Sequence, residues 1–548
     1  MTQNVWLNDL SQQFLERDYL TEGQTAEQRI DDICQNAERI LNKPGFAEAF
    51  KANFAKGWYS FSTPVWTNFG QERGLPISCF GSYIDDTMES ILGTHAEVGM
   101  MTKMGGGTSG YFGALRKRGS TVKNNGESYG SVHFMQLYDM AMNIISQGST
   151  RRGSFAGYQD IDHGDIEEFL TIRSEGSPIQ DMSFGVSVPD YWMEEMIAGD
   201  ADKRRIWAKV LQSRANTGYP YIFFSGNANK GAADVYKKEG MKIHHSNLCT
   251  EIMLPNKVDE SFVCCLSSMN ILYYDDWKNS NAVELMTYFL DAVMSEFITK
   301  AKKIPFMDRA VRFAERHRAI GIGWFGWASY LQSKMIPWES DEAKIVNSQI
   351  ARKMKKNGYA ASAKMAEEYG EPEVLKGYGR RHTTMFAIAP TKSSAFIIGQ
   401  ASEGIEPDKA NVMIKDLAKG KYTIKNKYLE ALLESKGENT PANWDKVLKN
   451  AGSVKTLDCL TEEEKAVFKT FREISPDTII ELAADRQKHI DQGQSINLLI
   501  SPTTPIKEVN ALYIKAWKLG VKSLYYQISV NAAQEFTRAL DNCVACEA

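Results

Sequence analysis

The chain has 548 residues, 43% of them hydrophobic and 24% charged, with a formal net charge of −4. These are the proportions of an ordinary globular protein with room for one very large domain or several ordinary ones, and the core needs no metal or disulfide staple. The near-neutral balance gives no global pull toward a nucleic acid polymer or an anionic membrane, so any phosphate must be held in a local pocket.

In chain order, residues 7–56 read as helical. Asp31–Ile40 and Phe46–Lys56 carry apolar residues at three- and four-residue spacing, and Pro44-Gly45 separates them. From about residue 60 to 270 short apolar runs (Ile77–Ile84, Ser183–Val188, Tyr219–Phe224) alternate with helical stretches and glycine-rich turns, a pattern of α/β type. Long helical patterns follow at Val283–Lys303, Met307–Arg318 and Asp341–Tyr369, with further short runs at Thr384–Ile388, Ser495–Leu499 and Ser523–Gln527. Residues 408–480 are charged and read as helical, with no recognisable chemistry. The last twenty residues are small or polar and are expected to be mobile.

No apolar run reaches the ~18–20 residues that span a bilayer. The opening MTQNVWLNDLSQQFLERDYL lacks the basic-then-apolar layout of a signal peptide. The expected location is the reducing cytoplasm, where the eight cysteines are thiols by default.

Cys543-Val-Ala-Cys546 is a C-x-x-C close to the last residue. The spacing suits reversible dithiol–disulfide exchange, because the closed ring is small. A zinc site would need two more soft ligands, and no second C-x-x-C exists. An incidental pair is the third reading. In His245-Ser-Asn247-Leu-Cys249-Thr-Glu251-Ile, an extended chain would put Asn247, Cys249 and Glu251 on one face. A thiol, a carboxylate and an amide sharing a face can exchange hydrogen, act as base and orient both, although a strand with a polar outer face gives the same pattern. Cys79 and Cys264 lie in apolar runs, where packing is the default; Cys34 and Cys459 carry no signal.

Asn247-Leu-Cys249-Thr-Glu251-Ile-Met-Leu-Pro255 resembles the active-site stretch of the large, catalytic subunit of class I ribonucleotide reductases. The resemblance implies that Cys249 becomes a thiyl radical that takes the 3′ hydrogen of the ribose, that Glu251 is the base on the 3′ hydroxyl, and that Asn247 hydrogen-bonds beside them. It also implies that Cys79 and Cys264 form the reducing pair, with Cys264 preferred to Cys265 by its distance to Leu266-Ser267, and that Cys543 and Cys546 re-reduce them. Leu524-Tyr525-Tyr526-Gln527 resembles the stacked tyrosine pair that carries the oxidising equivalent toward Cys249. Pro390-Thr391-Lys392-Ser393-Ser394 resembles the substrate phosphate loop, although Lys392 replaces the expected acidic or small residue. Thr63 and Ser78 resemble further substrate contacts. Asp86, the Gly105–Gly107 stretch and Gln147-Gly-Ser-Thr-Arg151-Arg152-Gly153 resemble the site of a dNTP or ATP effector.

The resemblance implies a ten-stranded α/β barrel with a central finger loop. It divides the chain into an N-terminal helical region (1–62), a catalytic barrel with helical insertions (63–527) and a flexible redox-active tail (528–548). Cys79 arrives too early for the family's small N-terminal ATP-binding cone, so a form without that cone is expected. The implied substrates are ribonucleoside diphosphates, and no cofactor or metal is expected in this chain. The radical or metal cofactor would belong to a small (beta) subunit; a thioredoxin- or glutaredoxin-like reductant and a homodimer are the other implied partners. Two alternatives remain: an adenosylcobalamin-dependent (class II) reductase, and a non-catalytic nucleotide-binding protein with a redox-sensitive tail.

Overall fold

The computed structural model describes residues 4–147, 151–417 and 420–529. Among them the N-terminal helices form where the apolar spacing predicts. Ala26–Leu41 opens on a capping box between Thr25 and Gln28, and Phe46–Ala55 follows the break at Pro44-Gly45. Ile30, Ile33, Phe50 and Phe54 on these two helices are fully buried and belong to the same core as the sheet.

Eleven strands build the site, numbered here in chain order. They are β1 (Tyr59–Phe61), β2 (Cys79–Tyr83), β3 (Gly107–Tyr111), β4 (Phe155–Asp160), β5 (Ser183–Ser187), β6 (Tyr221–Phe223), β7 (Phe262–Asn270), β8 (Ile320–Phe325), β9 (Leu498–Ile500), β10 (Ser523–Leu524) and β11 (Gln527–Ser529). Strands β2 through β6 pair in parallel in sequence order. β7 runs antiparallel to β2 and parallel to β8. Parallel bridges then join Ile322 to Phe386 and Ile388 to Gln494, and β9 pairs with β11 in parallel. β10 returns antiparallel to β6. With β10 and β11 taken as one segment, ten segments close a ring of two parallel halves that meet antiparallel, the predicted barrel. β1 is an extra strand that pairs antiparallel with Ser267–Met269 of β7, along the edge where β2 takes Phe262–Cys264. All nine residues of β7 are buried, as a strand covered on both faces requires. The run Thr384–Ile388 contributes only the bridges and no continuous strand.

Residues 408–480 depart from the helical expectation. They begin with an antiparallel hairpin, Val412–Leu417 and Gly420–Lys425, before the helices Lys427–Ser435, Pro441–Lys449 and Glu462–Val467. The second arm contains Tyr422-Thr-Ile424, aromatic and β-branched residues that favour the extended chain over the helix. Leu429, Leu433, Trp444, Val447, Leu457 and Phe468 close a small core of their own beside the barrel. Residues 528 and 529, expected in the tail, still belong to β11. No helix among the described residues is long and apolar enough to cross a membrane.

Candidate active site

The chain from Met241 to Ser261 carries no helix and no strand beyond a bridge between Lys257 and Glu260. This segment holds Asn247, Cys249 and Glu251, so the extended row with alternating faces is not what forms. Residues 248–250 make a turn: the Thr250 N–H points to the Asn247 carbonyl at 3.4 Å, and Thr250 takes φ +69°. A β-branched residue in the left-handed region is a strained tip that its surroundings must hold. Three contacts do so. The Ser495 hydroxyl donates to the Cys249 carbonyl, the Ser523 hydroxyl to the Thr250 carbonyl at 2.9 Å, and the Gly493 N–H to the Glu251 carbonyl at 2.8 Å. The turn, rather than strand alternation, brings the Asn247 Nδ2 to 3.0 Å from Glu251 Oε1.

Cys79 opens β2 and stands directly opposite Cys264 of β7 in the antiparallel register. Facing positions in such a pair have Cα atoms roughly 4.5–5.5 Å apart. Cys79 Sγ lies 3.3 Å from Asn247 Nδ2 and 3.9 Å from Glu251 Oε1; Cys264 Sγ receives Gln492 Nε2 at 3.6 Å. The next residue, Cys265, points to the other face and bonds the Leu290 carbonyl at 3.3 Å. Strand alternation thus separates the two adjacent cysteines. None of the described cysteines is in a disulfide.

Burial dominates the electrostatics. It pushes the Cys79 and Cys264 thiols well above their usual range, so both stay protonated. It pushes Glu251 up to about 7, against hydrogen bonds from its own backbone N–H, Asn247, Ser495 and Cys79 that favour the carboxylate. Burial also lowers His245 to about 3, which keeps its ring neutral; Asn256 Nδ2 sits 2.7 Å from its Nε2. A carboxyl poised near neutrality beside thiols held as SH can move protons and supply hydrogen.

Tyr525 and Tyr526 stack with ring centroids 4.2 Å apart, tilted by 51°. Tyr525 N–H donates to Ile496 and Tyr526 N–H to Asn497 Oδ1, which fixes the pair beside the segment that bonds the finger-loop tip. Two further tyrosines surround them: Tyr219 and Tyr221, with Tyr221 centred 4.8 Å from Tyr525. Sequence reasoning missed these two, and also Tyr158, Gln492 and Ser495. The Tyr219-Pro-Tyr221 spacing was a visible signal; Tyr158, whose hydroxyl donates to the Asn247 carbonyl at 2.7 Å, gave none.

Thr391, in the left-handed region at φ +54°, precedes the short helix Lys392–Ile397. Its hydroxyl accepts from Gly404 N–H at 2.8 Å, and Ser394 donates to the Phe61 carbonyl at 2.9 Å. Those bonds bring Pro390–Ser394 next to the end of β1 and to Thr63, whose hydroxyl lies 3.2 Å from that of Tyr19. Ser78 Oγ is buried next to Cys79 with no hydrogen-bond partner among the described residues. Asp86 is held by Arg116 through its N–H at 3.1 Å and its Nε at 2.6 Å. Arg151-Arg152 forms a two-residue strand against Ser146-Gln147. Arg152 is exposed, and the side chain of Arg151 lies outside the description. Residues 148–150, Cys543 and Cys546 lie outside the described residues. Among the described residues no three His, Cys, Asp or Glu side chains are grouped to hold a metal.

The family model described as the ribonucleotide reductase barrel domain matches residues 77–202, 200–376 and 372–527. The putative ribonucleoside-diphosphate reductase large subunit of Frog virus 3 (isolate Goorha) is 35% identical over 533 residues, spanning 92% of this chain and 93% of that one. The ribonucleoside-diphosphate reductase large subunit of Danio rerio is 26% identical over 93% of this chain and 74% of its own. The solved alpha subunit of the class Id ribonucleotide reductase of Actinobacillus ureae superposes with a TM-score of 0.92 at 53% identity, covering 99% of both chains. A closed ten-segment barrel threaded by a loop that meets a cross-strand cysteine pair, matched along nearly its whole length, makes this chain a member of the ribonucleotide reductase family, in its large catalytic subunit.

Proposed function

We propose that the chain reduces ribonucleoside diphosphates to 2′-deoxyribonucleotides with Cys249 as the radical-bearing thiol. One observation carries the reading: the Asn247–Glu251 pair and the facing thiols of Cys79 and Cys264 meet at one buried point in the barrel. The oxidising equivalent, generated in a small partner subunit, passes through Tyr526 and Tyr525 to Cys249. The Cys249 thiyl takes the 3′ hydrogen while Glu251 accepts the 3′ hydroxyl proton. Protonated thiols at 79 and 264 supply two hydrogens as the 2′ hydroxyl leaves as water. They end as a disulfide, and the ribose regains its 3′ hydrogen from Cys249. Cys543 and Cys546 then reduce that disulfide by thiol exchange and are themselves reduced by a thioredoxin- or glutaredoxin-like protein. This cycle needs free thiols, which suits a reducing cytoplasm.

The stacked tyrosines favour class I, because an adenosylcobalamin enzyme makes its radical beside the active site and has no use for a relay. Pro390–Ser394, Thr63 and the unpartnered Ser78 hydroxyl are proposed substrate contacts, with Asp86, Arg151 and Arg152 at the effector site. A homodimer fits the surface. Leu92, Met140 and Ile144 are 52%, 60% and 73% exposed on the packed helices Met88–Lys103 and Ser131–Ile144, an apolar face suited to a second copy.

The test is CDP reduction by the chain with a small subunit and a dithiol. Deoxycytidine diphosphate should form with the wild type and not with Cys249→Ser. Turnover that survives in Cys249→Ser overturns the radical role.

A further inference from the structure

We propose that Tyr219 is a third redox-active phenol, a branch of the relay that exchanges a hydrogen atom with Tyr526. The inference rests on the relay reading of Tyr525 and Tyr526.

Three observations carry it. The Tyr219 and Tyr526 hydroxyl oxygens are 3.1 Å apart, hydrogen-bonded whichever of the two donates. Tyr219 is buried at 7% exposure, stacked on Phe184 with centroids 5.5 Å apart, so the contact is built into the core rather than a chance surface meeting. The Tyr219 hydroxyl also lies 3.3 Å from Ser183 Oγ, which fixes it from the far side. A hydrogen bond between two phenols is the geometry for joint proton and electron transfer. The Tyr526 phenoxyl oxygen takes one proton and one electron from the Tyr219 hydroxyl. An O–H bond forms at 526, the one at 219 breaks, and the radical moves without net oxidation. The oxidising equivalent is the one that the partner subunit's radical centre already delivers to Tyr526.

The direction of the branch is set by charge. The Arg173 guanidinium stands 5.0 Å from the centroid of the Tyr219 ring. A cation over the ring face stabilises the electron-rich phenol and opposes removal of an electron from it. The radical therefore resides at Tyr219 only briefly and returns to Tyr526, which keeps the branch from draining the relay.

The experiment replaces Tyr219 with 3-aminotyrosine, an easily oxidised near-isostere, in the full chain. The protein is mixed with the small subunit of the same organism, CDP and effector, and freeze-quenched for electron paramagnetic resonance. An aminotyrosyl radical is expected at 219, absent in the Tyr526→Phe background and more populated when Arg173→Gln is added. A radical with aminotyrosine at 526 but none at 219 overturns the branch and leaves the relay standing. A radical at 219 that persists in Tyr526→Phe also overturns it, since the oxidation then bypasses Tyr526. No radical at either position, in a preparation whose wild type reduces CDP, removes the relay reading itself and the inference with it.

Discussion

Cys79 and Cys264 face each other across β2 and β7, yet each sulfur leans on a different amide: Asn247 Nδ2 at 3.3 Å and Gln492 Nε2 at 3.6 Å. The pair is thus tied to two separate pieces of the barrel, the finger loop and the segment that bridges to Ile388 at Gln494. A disulfide between them can form and open while both amides hold the strands in register.

Serine at either position keeps an acceptor for its amide but removes the transferable thiol hydrogen. Cys79→Ser and Cys264→Ser are each expected to lower steady-state CDP reduction by roughly a hundredfold or more. Their stability should change by only about 1 kcal/mol, the scale of one exchanged hydrogen bond. Cys265→Ser, on the opposite face, should keep most of the turnover. Initial rates and thermal melts of the three variants decide this; equal losses in all three would show that the effect is packing.

Burial raises Glu251 to about 7, and in its proposed role as base it must be ionised. Activity should fall on the acid side with a limb centred at about pH 7, and Glu251→Gln should be inactive at every pH. Stability follows the opposite sign. The raised pKa means the folded state holds the proton more tightly than the unfolded chain, so the group's favourable contribution is complete below about 4.5 and lost as pH rises through about 7. The loss amounts to at most about 3 kcal/mol at pH 8. Glu251→Gln should therefore melt higher than the wild type at pH 8 and converge with it toward pH 5. A variant that is no more stable at pH 8 than at pH 5, relative to wild type, contradicts the buried neutral carboxyl.

The barrel strands with alternating or fully apolar runs were legible: the runs at 77–84, 183–188 and 219–224 became β2, β5 and β6, and the long periodic run 341–369 became one helix. The finger loop was legible only as a motif. Periodicity made Asn247, Cys249 and Glu251 a strand, because nothing in a single sequence shows that Ser495, Ser523 and Gly493, more than two hundred residues away, hold a left-handed turn at Thr250. Closure of the barrel was hidden for the same reason, since its joining contacts at Phe386 and Gln494 are single bridges rather than strands. The proposed reducing pair was suggested by position in the motif order; the register that sets Cys79 against Cys264 is a tertiary fact.

Gly493 is the point where that support touches the loop. A Cβ there would stand 2.6 Å from Met253 Cε and 3.2 Å from the carbonyl oxygens of both Thr250 and Glu251. The methionine end can swing aside, but the two carbonyls belong to the strained tip. Gly493→Ala should cost about 1–3 kcal/mol, as overpacking does. It should also lower kcat more than it raises KM, because the displaced atoms carry Glu251 and Cys249 rather than the proposed substrate loop at Pro390–Ser394. Steady-state kinetics beside a denaturation curve test this. A rise in KM alone, with kcat intact, would mean that the tip does not depend on residue 493.

The proposed effector loops meet at Gly105. Its φ of +95° suits glycine, and a Cβ would fall 2.1 Å from Gln147 Oε1, whose amide Nε2 is bonded to Asn68 at 3.0 Å. Gln147 stands opposite Arg151 and Ser146 opposite Arg152 in their antiparallel pair, so the placement of Gln147 sets where the arginine strand begins. In Gly105→Ala the glutamine cannot keep its position against Asn68, and the strand pair of 146–147 with 151–152 loses its anchor. The expected result is loss of substrate choice rather than loss of chemistry. Turnover without effector should stay within about threefold of wild type, while the ratio of rates on competing ribonucleoside diphosphates should no longer respond to added dNTP. The measurement is a four-substrate competition with and without each effector. A Gly105→Ala protein that still switches substrate preference with effector would show that the contact between Gly105 and Gln147 does not carry the signal.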